Sequence, residues 1–162
     1  MANEHLATYL NDHLAGSVIA VELMESLEAA YAGTPIATFV NGIRMEVEAD
    51  QRELEELMSR LEISQSRTRQ VSAWLTEKVT ELKLRIDDSA QGNLRLLESL
   101  EALSLGIEGK KSLWLALTAA AEISPQLRLV DYERLKQRAE EQRSRVELKR
   151  IEIARVALRG ER

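Results

Sequence analysis

The chain has 162 residues, no cysteine, two prolines, seven glycines and six aromatic residues, a length near the commonest single-domain size. Apolar residues at 44% and charged residues at 30% provide for a real core and exclude a disordered tail, while zero cysteine excludes disulfides, thiolate metal sites and a cysteine nucleophile. The net charge of −5 argues against nucleic acid as a bulk partner, and many Leu, Ala, Glu and Arg beside few Gly and Pro predict helices rather than a sandwich or barrel.

A first helix is expected over residues 4–32. Leu6, Leu10, His13/Leu14, Ser17, Val21, Met24, Leu27 and Tyr31 recur at spacings of three and four, the mark of one apolar helix face. Asp12 and His13 interrupt any signal-like apolar run, so no secretory leader is expected and the cytoplasm is the default compartment. Gly33 supplies a left-handed stop, and Thr34-Pro35 supplies an N-cap with proline at the first helical position. The second helix then carries Ile36, Phe39/Val40, Ile43, Val47, Asp50, Leu54, Leu57 and Leu61 on one face. So short a connection predicts an antiparallel hairpin.

A third helix is expected over 66–87, with Val71, Trp74/Leu75, Val79, Leu82 and Ile86 on one face, followed by a loop over 87–93 rich in turn formers. The fourth, over 93–122, carries Leu97, Leu100, Leu103/Ser104, Ile107, Trp114, Leu117 and Ala121. Its interior Gly106 and Gly109 each cost up to ~1 kcal/mol relative to Ala, which predicts a kink or a close helix contact. The most apolar run, residues 113–121, is far below the ~20 residues that span a bilayer. Ser124-Pro125 repeats the capping device, and a fifth helix over about 125–159 would exceed the others and extend beyond the core. The whole chain reads as one all-α up-down bundle of about five helices. If the third helix carries the chain back along the bundle, helices two and four run parallel, the single-crossover topology of ferritin-like folds.

The segments Leu10-Asn11-Asp12-His13-Leu14-Ala15-Gly16-Ser17, Trp74-Leu75-Thr76-Glu77-Lys78 and Gly106-Ile107-Glu108-Gly109-Lys110-Lys111-Ser112-Leu113-Trp114 resemble a bacterial family of ferritin-like helical bundles with no assigned function. The resemblance covers roughly residues 8–118. It implies a bundle fold and no catalytic residues.

A ferritin-like shape invites a di-iron test. That site takes a glutamate from each of two helices and Glu-x-x-His from each of the other two. The first helix offers Glu22 and Glu25, and the fourth offers Glu98, Glu101 and Glu108. The second offers Glu48-Ala49-Asp50-Gln51 and the fifth Glu140-Glu141-Gln142-Arg143, with Gln and Arg where imidazole is required. No metal, cofactor or catalytic residue is therefore expected. The rival reading is a degenerate ferritin-like metal-binding or oxidase-related protein using Glu22, Glu25, Glu48 and Glu101.

His13 and Asp50 interrupt apolar faces, which suits a ligand or acid–base pair at one end of the bundle, or a hydrogen bond fixing the register of the first two helices. Asn11-Asp12-His13 cannot share one helix face as a metal site. The Gly106–Ser112 stretch lacks the spacing and the preceding strand of a phosphate loop.

Charge divides unevenly. Residues 128–162 carry 11 basic and 7 acidic side chains, net +4, leaving −9 for 1–127. The basic residues sit at i,i+3 and i,i+4 from acids, a self-paired helix face. They also complement the acidic run 46–62, with seven acids and two arginines, in the same chain or in a second copy. The expectation is a non-catalytic protein acting through protein contacts, with a homodimer through the last helix, and without nucleic acid or membrane. A small-molecule binder with a pocket near Gly106, where absent side chains leave room, is a third reading. Leu10, Met24, Val47, Leu54, Leu100, Ile107 and Leu135 are expected to fill an apolar centre.

Overall fold

The computed structural model describes residues 3–66, 73–85 and 92–159. The described residues form five α-helices and no strand: α1 (Glu4–Ala30), α2 (Pro35–Arg60), α3 (Ala73–Arg85), α4 (Gly92–Ile123) and α5 (Tyr132–Ala157). Local chemistry marks most of the ends. Asn3 caps α1 through the His5 backbone N–H. Gly33 takes a φ of +79° in the α1–α2 turn, and the Thr34 hydroxyl oxygen accepts from the Ala37 N–H with Pro35 opening α2. The α2 C-terminus has no glycine. Glu62 adopts a φ of 56°, and the Ile63 and Glu62 N–H groups donate to the Met58 and Ser59 carbonyls, a Schellman closure sealed by the buried Ile63 side chain.

The fifth helix departs from its expected range of 125–159. Pro125–Leu127 form a single 3₁₀ turn, and α5 starts at Tyr132 under the Asp131 side chain, which accepts from the Arg134 N–H at 3.0 Å. Proline at 125 fits a 3₁₀ turn as well as an α-helix, and the Arg128 guanidinium binds the Ala121 and Glu122 carbonyls at the end of α4, which folds the connection tightly. At 32 residues α4, not α5, is the longest helix. The bonds Ser104–Glu147 and Glu101–Arg150, continued in antiparallel register, bring Ala157 level with the first turn of α4. The last helix therefore does not project beyond its own bundle.

Side-chain pairs set the helix directions. The Tyr31 hydroxyl at the end of α1 donates to the Gly92 carbonyl at the start of α4 at 2.9 Å, so those two helices run antiparallel. Glu46–Arg145, Asp50–Arg138 and Glu53–Arg134 make α2 and α5 antiparallel. Helices α2 and α4 then run parallel, which makes the connection between them a crossover. Within that crossover α3 lies against α1 and α4, held by Lys83 to Glu22 at 3.0 Å, with Val79 and Leu82 buried beneath it. The expected apolar residues Val71 and Ile86, the side chains of Trp74 and Leu75, and most of the expected 87–93 loop lie outside the described residues. Gly92 and Asn93 belong to the first turn of α4.

The core has two apolar clusters. One, around Met24, Ile43, Leu100 and Val146, occupies the level of the α1–α2 turn. The other, around Leu10, Leu57, Trp114 and Leu135, fills the opposite end. All seven residues expected at the centre are buried. The centre is nonetheless interrupted: buried Asp50 and Gln142 and the largely covered Lys110 fall between the two clusters.

The acidic run of α2 meets α5 of its own chain through those three α2–α5 ion pairs. Burial on both helices brings the complementary faces together within one protomer, so the charge match requires no second copy. Only part of the expected pairing along α5 forms: Glu133–Lys136 and Glu147–Arg150 do, Glu152 takes Lys149, and Arg145 turns to α2.

Candidate functional site

Between the two core clusters, the face of α1, α2 and α4 that α3 crosses holds a half-open cavity of about 610 Å³, within the roughly 300–1,000 Å³ usual for small-molecule sites. Its walls are mostly apolar: Ala20 and Met24 from α1, Ile43, Val47 and Leu54 from α2, and Ala102, Leu103, Ile107, Leu113 and Trp114 from α4. Asp12, His13, Lys78, Glu98 and Glu101 also contribute. All three segments that stand out in the sequence (10–17, 74–78 and 106–114) reach this one cavity.

Gly16, Gly106 and Gly109 line it, and a Cβ added at any of them would meet no neighbouring helix within 4 Å. The close helix contact expected at Gly106 and Gly109 is therefore not there. These residues sit in helix interiors, where each glycine is destabilising by up to ~1 kcal/mol, yet they are needed neither for a turn nor for a backbone approach. Their local effect is to leave the cavity open.

One wall is polar and strongly organised. Asp50 has 1% of its side chain exposed. Its Oδ1 accepts from the Arg138 guanidinium through Nε at 2.7 Å and again through a terminal nitrogen. Its Oδ2 accepts from Lys110 Nζ at 2.5 Å and from Gln142 Nε2 at 3.1 Å, and Lys110 also donates to Gln142 Oε1. Burial lowers the Lys110 pKa from the ordinary lysine range, against the attraction of Asp50. Both Asp50 oxygens are occupied and two cations stand beside them, an arrangement that repels a divalent metal ion rather than holding one.

His13 does not bond to Asp50, contrary to one sequence expectation. It lies edge-on to Tyr9, ring centroids 4.7 Å apart, and burial lowers its pKa against the field of Asp12. Asn11 is buried and bonded to backbone: it donates to the Ala7 and Ser64 carbonyls and accepts from the Ser66 N–H, fastening the chain after α2 onto α1. It is thus separated from Asp12 and His13 in role as well as in direction.

The four glutamates of the metal reading are not brought together. Glu22 faces Lys83, Glu48 faces Arg44 at 2.7 Å and Glu101 faces Arg150 at 3.2 Å, while Glu25 is exposed. Among the described residues no three of His, Asp and Glu converge in a metal-holding group.

Sequence reasoning missed Lys110, Arg138 and Gln142 as partners of Asp50. The available signal was Gln142, set among Leu135, Ala139 and Val146 on the buried face of α5, where a polar residue demands a polar partner.

Fold and cavity together define a helical bundle with a half-open, mostly apolar cavity beside a buried ionic cluster. No family model, no curated protein and no solved structure matches the chain. Among the described residues no helix is long and apolar enough to cross a membrane.

Proposed function

We propose that the chain is a non-catalytic binding protein, ferritin-like in its helix path, that holds an apolar small molecule between α1, α2 and α4. The observation that carries this is the 610 Å³ cavity kept open by three helix-interior glycines that no packing contact requires. A mostly apolar cavity with polar groups at defined places on its rim and walls suits holding and orienting a ligand.

Gly106→Leu tests it by separating stability from binding. The new side chain enters empty space and removes a helical glycine, so thermal stability should hold or rise, by up to about 1 kcal/mol from the backbone alone. Uptake of a neutral apolar dye such as N-phenylnaphthylamine, one per chain in the parent protein, should be lost in the variant. Undiminished uptake would place the dye elsewhere and defeat the reading.

A second reading, action through protein contacts, is favoured by the outer face of α5. Leu148, Ile151 and Leu158 are exposed there at spacings that align them along one side of the helix, and such a stripe suits a copy of the same chain. Light scattering should find a dimer at tens of micromolar for the intact chain and a monomer for a chain ending at Lys149. A monomeric intact chain ends this reading.

A further inference from the structure

The structure assigns Lys110 as a site of reversible covalent capture, its amine forming an imine with an apolar aldehyde held in the cavity. This rests on the cavity being a binding site. Lys78 and Lys110 both line it, and Lys110 is the one set into the ionic cluster, with 14% of its side chain exposed. Gly106 precedes it by one turn on the same face of α4, and nothing lies within 4 Å of where a Gly106 Cβ would stand. The open space therefore reaches the part of α4 from which Lys110 projects. An aldehyde lying along the apolar walls can present its carbonyl there.

An amine attacks a carbonyl only after it sheds a proton. Burial lowers the Lys110 pKa and the neighbouring Arg138 cation adds to the effect, the two devices that activate a lysine nucleophile. Asp50 opposes them by attraction, yet it is also the base at hand, its Oδ2 being 2.5 Å from Nζ. Asp50 takes one ammonium proton, the freed lone pair forms the N–C bond, and a second nitrogen proton passes to the carbonyl oxygen. Asp50 then returns its proton to that hydroxyl. The C–O bond breaks to release water, and the nitrogen lone pair closes the C=N bond. In sum, ammonium and aldehyde become iminium and water. The charge of the cluster is unchanged, and the one N–H left on nitrogen serves Asp50, so the buried ion pair survives the reaction. An acylating ligand would instead leave a neutral amide and take away one of the two cations that hold Asp50.

Decanal, added at one equivalent to the full chain with sodium cyanoborohydride, tests the assignment. Reduction fixes any imine as a stable decylamine, which mass spectrometry counts and a peptide map locates. One decyl group per chain is expected, on Lys110, at a rate at least about tenfold that of any other lysine, because the cavity holds the aldehyde against it. Lys110→Arg keeps a cation for Asp50 but forms no imine, and should remove the label. Gly106→Leu fills the cavity and leaves the lysine in place; it should cut the labelling by a similar factor, and it serves if Lys110→Arg does not fold. Label spread over other lysines, or no label although decanal displaces N-phenylnaphthylamine, overturns aldehyde capture while the cavity reading stands. Failure of both decanal and unreactive decanol to displace the dye overturns the cavity reading as well.

Discussion

Replacing Asp50 with alanine should lower the stability of the fold by about 3–5 kcal/mol, the usual loss when one member of a buried ion pair is removed and its partner is left behind. Lys110, with 14% of its side chain exposed, would be left next to Gln142 without its counter-ion. Arg138, at 27%, can turn partly to water, which places the effect toward the lower end of that range. Urea unfolding measures it as a fall in midpoint at constant slope. The double variant Asp50→Leu, Lys110→Met should be markedly less destabilised than Asp50→Ala, because it removes the stranded cation and joins the two apolar clusters. If the single and double variants lost the same amount, Lys110 would not depend on Asp50 and the proposed layer would be wrong.

Leu100→Ala should cost about 2–5 kcal/mol through lost transfer free energy and the void left behind. Leu100 is 0% exposed within the cluster that joins α1, α2, α3, α4 and α5, so no solvent-facing slack absorbs the missing atoms. A loss under about 1 kcal/mol would mean that this face of α4 does not form the core. The two substitutions differ in one respect. Leu100→Ala removes contacts among residues that stay satisfied, whereas Asp50→Ala leaves charged neighbours unmatched, and only the second should respond to a compensating change at Lys110.

Helix existence, the α1–α2 hairpin and the buried faces were legible because they depend on short-range periodicity and on local end signals such as Gly33 and Thr34-Pro35. Leu10, Met24, Val47, Leu54, Leu100, Ile107 and Leu135 are buried because a helix with an apolar side must cover it, whatever the neighbour. The same local reasoning misjudged the start of the last helix, since Ser124-Pro125 suits a 3₁₀ turn equally well and the choice fell to Asp131 and to Arg128 bonding across the connection. It also left Gly106 and Gly109 open between a kink, a close helix contact and room for a pocket, because the residue type says only that a side chain is missing and not what stands opposite.

What the sequence by itself determined is an all-helical chain with amphipathic helices, because that follows from spacing along one strand of polymer. Only the tertiary structure decided what the exceptional residues do. Asp50 found Lys110, Arg138 and Gln142 rather than His13, and the acidic run of α2 found α5 of its own chain. Gly16, Gly106 and Gly109 came together around empty space. Those outcomes depend on which faces of distant helices are brought into register, and the register is set by the summed packing of both core clusters, a quantity that no local spacing encodes.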